Sequence, residues 1–411
     1  MFAIPIVSIA CALLLASAAP PAAPEDWPQF RGPDGQGHSA ERGLPVEWSE
    51  SKNVIWKVPI AGRGWSSPVV SGGRVWLTTA IKDRGLSLRV LAFDVESGRE
   101  ALNVEVFKVR DGAPTNAKNS HASPTPIVQG DRVFVHFGAD GTAALTTAGD
   151  ILWKATLAYA SQHGNGGSPV LHGDQLILNC DGAPDAFVVS LDARTGKVKW
   201  KTWRRQPADQ AYSTPLVVRA ADKDQVISVG AYRAAAYDAA TGKEIWRVSY
   251  GDGFSNVPRP VYGHGLVFIT TGFHQPAVLA VRLDGAGDVT KSHVAWRLDR
   301  GAPFTPSPLL VGGELYVVND GGITSCVDAR TGEVRWMQRV PGAYSASPVY
   351  ADGRIYFLNE EGVATVITPG KEFRPIASNR VEGATLASMA VANGSFFIRS
   401  DTHLYRIGVR R

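Results

Sequence analysis

The stretch FVVSLDARTGKVKW (residues 187–200) decides the fold, because close copies of it occur further along the chain. The copies are AAAYDAATGKEIW (234–246) and TSCVDARTGEVRW (324–336). In each copy an apolar strand runs into an Asp that opens a tight turn, a Gly takes the left-handed position, and a second strand ends on Trp. Each stretch predicts a β-hairpin, and the recurrence of the stretch along the chain predicts a repeated structural unit.

A second element precedes these hairpins and consists of a Ser-Pro-like pair followed by two short strands around a Gly-rich turn. Examples are PVVSGGRVWLTT (68–79) and PVLHGDQLILNC (169–180). The motif position recurs at intervals of 40 to 56 residues, at Pro68, Pro124, Pro169, Pro215, Pro260, Pro308, Pro348 and the degenerate Met389. Four strands per repeat predict an all-β fold, an eight-bladed β-propeller of four-stranded antiparallel blades.

The last repeat, AVANGSFFIRSDTHLYRIGV (390–409), supplies only three strands before the chain ends. A missing outer strand would leave an open sheet edge. NVIWKVPI (53–60) stands alone before the first repeat and has the form of an outer strand, with Trp56 at the place that other repeats give to Trp153, Trp200, Trp246, Trp296 and Trp336. We expect this N-terminal strand to close blade eight, and we expect these tryptophans to pack between neighbouring blades.

Composition and charge narrow the class of protein. Forty-three glycines and 26 prolines in 411 residues exceed average usage and indicate many turns. The formal net charge of +4 is spread along the chain without a run of Lys or Arg, which argues against a nucleic-acid partner.

The N-terminus reads as an export signal. Residues 1–24 carry no charged side chain, and an apolar stretch from Ile4 to Ala16 leads into Ala16-Ser17-Ala18. We expect a signal peptide with spacer over 1–24, cleaved near Ala18, an N-terminal extension over 25–52 and the propeller over 53–411. The mature protein would be a periplasmic or secreted monomer without a transmembrane segment, retaining only Cys180 and Cys326.

The loops that enter the innermost strands, together with the turns between second and third strands, share one face of a propeller. These segments vary between repeats, whereas the turns of the opposite face are repetitive, so the variable face is the expected binding surface. Its polar and aromatic side chains form the candidate ligand-binding set: Arg63, Trp65, Asn119, His121, His163, Asn165, Tyr212, Arg233, Phe254, Arg259, Phe304 and Tyr344. The sequence contains no recognisable catalytic motif and no spacing typical of metal ligands, so it predicts no catalytic residue and does not indicate whether a metal binds.

The element D-A-x-T-G-K-x-x-W with its Ser-Pro partner resembles the PQQ-like (pyrroloquinoline quinone) repeat of eight-bladed quinoprotein propellers over about residues 53–411. DWPQFRGPDGQG (26–37) is similar to the opening of exported PQQ-binding-like β-propeller repeat proteins. The family includes quinoprotein alcohol dehydrogenases and non-enzymatic propellers such as the outer-membrane assembly factor BamB. In the dehydrogenases the resemblance implies a quinone held under Ca²⁺, stacked between a Trp and a vicinal disulfide, with an Asp base.

Three functions remain open at this point. The favoured one is a non-catalytic exported module that binds an envelope or secreted protein, or a small ligand, on the variable face. The alternative is a pyrroloquinoline-quinone-dependent oxidoreductase with calcium, in which Trp65 stacks on the quinone and Asp140, Asp181 or Asp320 serves as ion ligand or base. The absence of adjacent cysteines counts against it. The third is glycan binding through the aromatic ring.

Overall fold

Eight antiparallel sheets follow one another along the chain in the computed structural model, which describes residues 25–204 and 209–410. Blade 1 consists of β2 (Val69–Ser71), β3 (Arg74–Lys82), β4 (Leu86–Asp94) and β5 (Glu100–Val109), and blade 2 of β6 (Ile127–Gln129), β7 (Arg132–His136), β8 (Thr142–Thr146) and β9 (Ile151–Ala155). Blade 3 consists of β10 (Val170–His172), β11 (Gln175–Cys180), β12 (Phe187–Asp192) and β13 (Val198–Trp203), and blade 4 of β14 (Leu216–Ala220), β15 (Lys223–Val229), β16 (Arg233–Asp238) and β17 (Glu244–Ser249). A 3₁₀ turn, Gly138–Asp140, is the only helix within these ranges.

The second half of the ring repeats this order. The strands of blades 5 to 8 are β18 (Val261–Gly263), β19 (Leu266–Thr270), β20 (Val278–Arg282) and β22 (Val294–Leu298); β23 (Leu309–Val311), β24 (Glu314–Val318), β25 (Ile323–Asp328) and β26 (Val334–Arg339); β27 (Val349–Ala351), β28 (Arg354–Leu358), β29 (Val363–Thr368) and β30 (Arg374–Arg380); and β31 (Ala390–Ala392), β32 (Ser395–Arg399), β33 (His403–Gly408) and β1 (Val54–Pro59). The short β21 (Gly287–Asp288) pairs parallel with β17 at the edge of blade 4. The predicted eight-bladed, all-β propeller is confirmed.

The ring closes where the sequence predicted. Strand β1 pairs antiparallel with β33, with Val58 opposite Leu404, so the N-terminal strand completes blade 8. The Trp56 indole donates to the carbonyl of Val95 in blade 1 at 2.8 Å. This contact holds the first and last blades together.

The tryptophans of the fourth strands bind the next blade, which explains the repeated turn. The Trp153 indole donates to the Ala193 carbonyl at 3.0 Å, and Trp200 donates to Ala239 in the same way. The turn glycine beneath Trp153, Gly196, has φ of +72°, and a Cβ there would lie 2.5 Å from the indole ring. The turn needs glycine both for its backbone angle and for the close approach of the ring.

Hydroxyl groups join the innermost strands around the ring. At six junctions the backbone N–H of the residue before the motif proline donates to the hydroxyl at the same position of the next blade. The bonds, 2.8–3.0 Å long, are Ser67 to Thr125, Thr125 to Ser168, Ser168 to Thr214, Arg259 to Ser307, Ser307 to Ser347 and Ser347 to Ser388. Six of the eight junctions therefore have the same inter-blade hydrogen bond.

Blade 2 corrects one motif position of the sequence analysis. Pro126, not Pro124, directly precedes the innermost strand β6, and Thr125 takes the hydroxyl position of the ring. The Ser123 hydroxyl, which was placed there, instead donates to the Asn119 side chain at 2.5 Å. The alternating S-P-T-P sequence made the two positions indistinguishable without the strand.

The segment before β1 enters the propeller channel and then crosses the face of the repetitive turns. Trp27 pairs with Val70 of the innermost strand β2 through two backbone hydrogen bonds of 2.8 and 2.9 Å. Further on, Gly37 accepts a hydrogen bond from Tyr350 N of blade 7, and the Glu41 carboxylate accepts two from the blade 8 turn at Asn393 and Gly394. We call residues 26–37 the plug. The expected signal peptide lies outside the described residues.

Among the described residues, no helix has the length and apolarity needed to span a membrane. The core lies between the blades and between the N-terminal extension, through Leu44 and Trp48, and blades 7 and 8. Cys180 and Cys326 are buried free thiols in different blades.

Trp48 anchors the N-terminal segment to blades 7 and 8, because its ring lies 6.1 Å from Tyr356 and 5.3 Å from Phe396 between centroids. The side chain is 3% exposed. We predict that Trp48→Ala lowers the free energy of unfolding by about 3–5 kcal/mol in urea titrations followed by circular dichroism. Leu152→Ala, at a 45% exposed position, serves as control. An equal effect of both substitutions would contradict this role for Trp48.

His136 gives a prediction about acid stability. It is 1% exposed, its Nδ1 and Nε2 lie 2.8 Å from the Thr142 hydroxyl and 3.1 Å from the Tyr159 hydroxyl, and burial lowers its pKa to about 3. The folded state keeps this histidine neutral while the unfolded chain protonates near pH 6.5, so stability from this group is present above pH 6.5 and falls as the pH drops toward 3.

Between pH 6.5 and 4.5 we expect His136 to contribute a loss of about 2 kcal/mol. His136→Gln removes this titration, so the unfolding free energy of the variant should decline less steeply over that interval. Urea titrations at several pH values measure the difference. Parallel slopes for the two proteins would show that His136 is not the source.

Candidate functional site

A central cavity of about 590 Å³ opens on the variable face. Its floor is the Phe30 side chain of the plug together with the hydroxyl side chains before the motif prolines. We call these seven residues the floor hydroxyls: Ser67, Thr125, Ser168, Thr214, Ser307, Ser347 and Ser388. They line the cavity because each stands where its innermost strand begins, next to the ring axis.

Aromatic side chains form one side of the cavity. The rings of Phe254 and Phe304 each lie 5.9 Å from that of Phe273, in edge-to-face contact. Phe273 is 47% exposed and stands at the mouth. Tyr212 continues this side, with its ring 6.4 Å from that of His163. We refer to Tyr212, Phe254, Phe273 and Phe304 as the aromatic wall.

The opposite side is polar and comes from the loop between β5 and β6. Asn116, Lys118 and Asn119 of this loop line the cavity, and the Asn119 amide donates to the His163 carbonyl at 2.7 Å. Lys118 Nζ reaches Glu360 of blade 7 at 2.6 Å, and the same carboxylate oxygen accepts from Ser345 Oγ. Lys118 is more than half exposed, so this ion pair positions the loop more than it stabilises the fold.

The structure places half of the predicted ligand-binding set in the cavity lining. The six residues are Trp65, Asn119, His163, Tyr212, Phe254 and Phe304. They come from six different blade entrances, which is why their sequence separation is large.

His121 and Asn165 lie in a separate, much smaller cavity of about 10 Å³, room for about one water molecule, with Asp140 and Ser161. His121 Nδ1 is 4.0 Å from an Asp140 oxygen. Partial burial lowers the pKa of His121 and raises the pKa of Asp140. Burial therefore disfavours the charged forms of both side chains compared with those of exposed groups.

The remaining four residues point elsewhere. Arg63 donates to the Ala117 carbonyl on the outside of the β5–β6 loop. Arg233 lies 3.9 Å from Glu244 in blade 4, and Tyr344 is fully buried in the core between blades 6 and 7. Arg259 is buried beneath the cavity, where it donates to the Phe30 carbonyl at 2.8 Å. Of these, Arg259 contacts the plug beneath the cavity, and Arg63 contacts the β5–β6 loop that lines it.

Sequence reasoning missed Phe30, Lys118, Phe273 and the floor hydroxyls. The floor hydroxyls had a signal, because they are the Ser-Pro motif itself, which was used only to count blades. Phe273 sits in a turn on the predicted face. Phe30 had no local signal, since nothing in its sequence says that the segment enters the channel.

The residues around the cavity do not fit a calcium-bound quinone. Ca²⁺ needs several oxygen ligands, usually including carboxylates, but no Asp or Glu is among the residues that line this cavity. Asp320 at the mouth accepts the backbone N–H groups of Phe304 and Thr305 at 3.0 and 3.3 Å. Asp181 is buried in an ion pair with Arg204, 2.7 Å between Oδ1 and Nε, and burial raises its pKa to about 6.

Cys180 and Cys326 cannot supply the vicinal disulfide that the resemblance implies, because they lie in blades 3 and 6. Within residues 25–204 and 209–410, no group of three or more His, Cys, Asp or Glu side chains is arranged to hold a metal ion.

Parts of the chain are similar in sequence to longer, curated proteins. Over 194 residues, 42% of this chain, it is 28% identical to tetrathionate hydrolase of Acidithiobacillus ferrooxidans, of which the match covers 35%. The chain spans about a third or less of the length of the curated relatives it matches.

Two solved structures share the fold. BamB of Moraxella catarrhalis superposes with a TM-score of 0.60 at 14% identity, over 86% of this chain and 99% of that one. Quinohemoprotein alcohol dehydrogenase of Comamonas testosteroni gives 0.67 at 10% identity, over 94% of this chain and 81% of that one.

The sequence model described as outer membrane protein assembly factor BamB matches residues 38–202 and 285–372. These ranges cover more than half of the 411 residues and include two of the three hairpin copies, at 187–200 and 324–336. The chain therefore belongs to the PQQ-like β-propeller family that this BamB model represents.

Proposed function

We propose that this protein is an exported, non-catalytic binding module that holds its ligand in the central cavity. The observation that carries the proposal is the cavity itself, about 590 Å³ in volume, closed at its base by Phe30 and walled by aromatic rings and hydroxyl groups. Concave sites of this size and mixed apolar and polar lining are typical of ligand-binding sites.

The two carboxylates nearest the cavity already have protein partners, which favours binding over catalysis by a carboxylate. Glu360 is engaged by Lys118 and Ser345, and Asp320 by two backbone N–H groups. A general acid or base needs a free lone pair or proton within reach of the substrate. The aromatic wall and the floor hydroxyls, in contrast, present open surface to a ligand.

The site of action that we propose is the cell envelope or exterior. Residues 1–24 have the sequence of a signal peptide with cleavage near Ala18, residues 25–52 form the extension that carries the plug, and residues 53–411 form the propeller. The mature protein acts as a monomer with an envelope or secreted protein, or a small ligand, as its partner. The BamB-like fold agrees with this proposal.

A quinone-dependent oxidoreductase is the second candidate, favoured by one observation. Trp65, the predicted stacking platform, does line the cavity, and the fold is shared with a quinohemoprotein alcohol dehydrogenase. The lining without carboxylates argues against it.

A cavity-filling variant tests the binding module. Val257 lines the cavity and is partly exposed, so Val257→Trp should occupy ligand space without disturbing the core. We predict that protein incubated with envelope extract retains a ligand, seen by native mass spectrometry, and that Val257→Trp reduces the retained fraction about ten-fold or more. Val198→Trp, at a 56% exposed outer-strand position, is the matched control and should bind like the unmodified protein.

Two results would overturn the proposal. Equal retention by all three proteins would move the binding site away from the cavity. Stoichiometric uptake of pyrroloquinoline quinone with Ca²⁺, followed by reduction of an artificial dye in the presence of alcohols, would establish the oxidoreductase instead.

A further inference from the structure

The β5–β6 loop, residues 110–126, is the longest of the connections that enter a blade. Three of its side chains, those of Asn116, Lys118 and Asn119, line the central cavity on the side opposite the aromatic wall. The position of this loop therefore sets the width of the entrance. Its role in ligand entry rests on the proposed function, because that function places the ligand in the cavity.

The second half of the loop is firmly attached to the propeller. The Ala122 carbonyl accepts hydrogen bonds from the backbone N–H groups of Trp65 and Ser66, both at 3.1 Å. The Thr125 N–H donates to the hydroxyl of the next blade at 2.9 Å. Ala122 and Thr125 are buried. Residues 119–126 therefore belong to the rigid ring.

The first half of the loop has few attachments. None of the residues 110–118 is buried. The backbone N–H of Asn116 donates to the His163 carbonyl at 3.1 Å, and the Ala117 carbonyl accepts from the Arg63 side chain. A segment with little buried apolar surface and few hydrogen bonds opens at a low cost in free energy. These residues are therefore free to move while the second half of the loop stays in place.

One ion pair ties this first half to the far side of the mouth. Lys118 Nζ lies 2.6 Å from Glu360 Oε1, which belongs to the turn between β28 and β29 of blade 7. Blade 8 lies between blades 7 and 1 in the ring, so the pair bridges across its entrance. Glu360 also accepts from Ser345 Oγ at 2.6 Å, which fixes the carboxylate to blade 7.

The ion pair is strong enough to bias the position of the loop and weak enough to release it. Lys118 is 60% exposed, and exposed ion pairs shift an equilibrium by at most about five-fold. Dissolved salt screens such a pair, because its charges face the solvent. Loop motions take nanoseconds to microseconds, so closed and open forms would interconvert rapidly.

We propose that residues 110–118 form a gate over the central cavity and that the Lys118–Glu360 ion pair is its latch. In the closed form the latch holds Asn116 and Lys118 at the mouth, where both line the cavity. Release of the latch withdraws these side chains and widens the entrance on the side opposite the aromatic wall. Bulky ligands pass through the open form, whereas small molecules pass through either form.

Thiol labelling tests the gate without any ligand. Val257→Cys places a reporter thiol in the cavity lining, and Leu386→Cys supplies a second reporter at the entrance of blade 8. The thiols of Cys180 and Cys326 are buried, and the protein without a reporter gives the background rate. The two reagents are N-(1-pyrenyl)maleimide, which is bulky, and N-ethylmaleimide, which is small, and both are uncharged.

Glu360→Gln breaks the latch while keeping the size of a side chain that is not among those lining the cavity. We predict that the pyrenyl reagent labels the reporter about two- to five-fold faster in this variant, because a larger fraction of the protein is open. The rate with N-ethylmaleimide should not change. Asp174→Asn is the matched control, because it breaks the 2.7 Å ion pair with Lys199 away from the mouth, and it should alter neither rate.

Salt tests the latch independently of that substitution. Sodium chloride at about 1 M should speed labelling by the pyrenyl reagent when Glu360 is present. It should have little effect in Glu360→Gln, because this variant has no ion pair across the mouth to screen.

Each remaining outcome would overturn the gate. An unchanged rate with the pyrenyl reagent, either in Glu360→Gln or in salt, would show that the ion pair does not control access. An equal rise with both reagents, or a rise in Asp174→Asn, would show a general loosening of the protein. Since labelling needs no ligand, the gate can fail while the Val257→Trp result supports the binding module, and the gate can stand while that module fails.

Discussion

The hydrogen bond from the amide before each motif proline to the hydroxyl of the next blade is the contact on which both ring and cavity depend. It occurs at six junctions, and at each one it satisfies a backbone N–H that would otherwise be buried without a partner. The side chain that accepts the bond must face the channel axis. The residues that join the blades are therefore also the residues that form the cavity floor, and the chemistry of the floor follows from the requirements of the ring.

Buried arginines replace that bond at the two junctions that lack it. Between blades 8 and 1, Arg399 Nη1 donates to Ser66 Oγ at 2.7 Å and to the Thr78 carbonyl at 2.9 Å. Between blades 4 and 5, Arg259 occupies the hydroxyl position, and its guanidinium reaches the Pro215 carbonyl at 3.2 Å. This second arginine also binds the Phe30 carbonyl, so this interruption of the hydroxyl ring is one of the points at which the plug is attached.

The sequence predicted the fold almost completely because every blade repeats its own local rules. The turn glycines, the tryptophans and the outer strand with Trp56 each act within one blade or between neighbours, and the period reveals them. Only half of the predicted ligand-binding residues line the cavity, because the shape of its mouth depends on long-range contacts. The β5–β6 loop folds over the cavity and binds the His163 carbonyl, while His121 and Asn165 line the smaller cavity nearby. Tyr344 stands four residues before Pro348, one more than separates Tyr212 from Pro215, and it packs into the core between blades 6 and 7. The sequence pattern alone did not show that its ring turns away from the cavity.

The plug explains why membership of a propeller family does not determine the ligand. The buried guanidinium groups of Arg31 and Arg259 cost several kcal/mol in desolvation, and four carbonyl oxygens offset part of that cost through charge-assisted hydrogen bonds. Those bonds fix the backbone of FRGPDGQG, where a Cβ on Gly35 would lie 2.3 Å from an Arg259 nitrogen, so glycine is required for this approach. The closure of the cavity floor by Phe30 is thus provided by a segment outside the repeats. A propeller with the same eight blades and a different N-terminal segment would have a different floor, and the repeats alone would not reveal it.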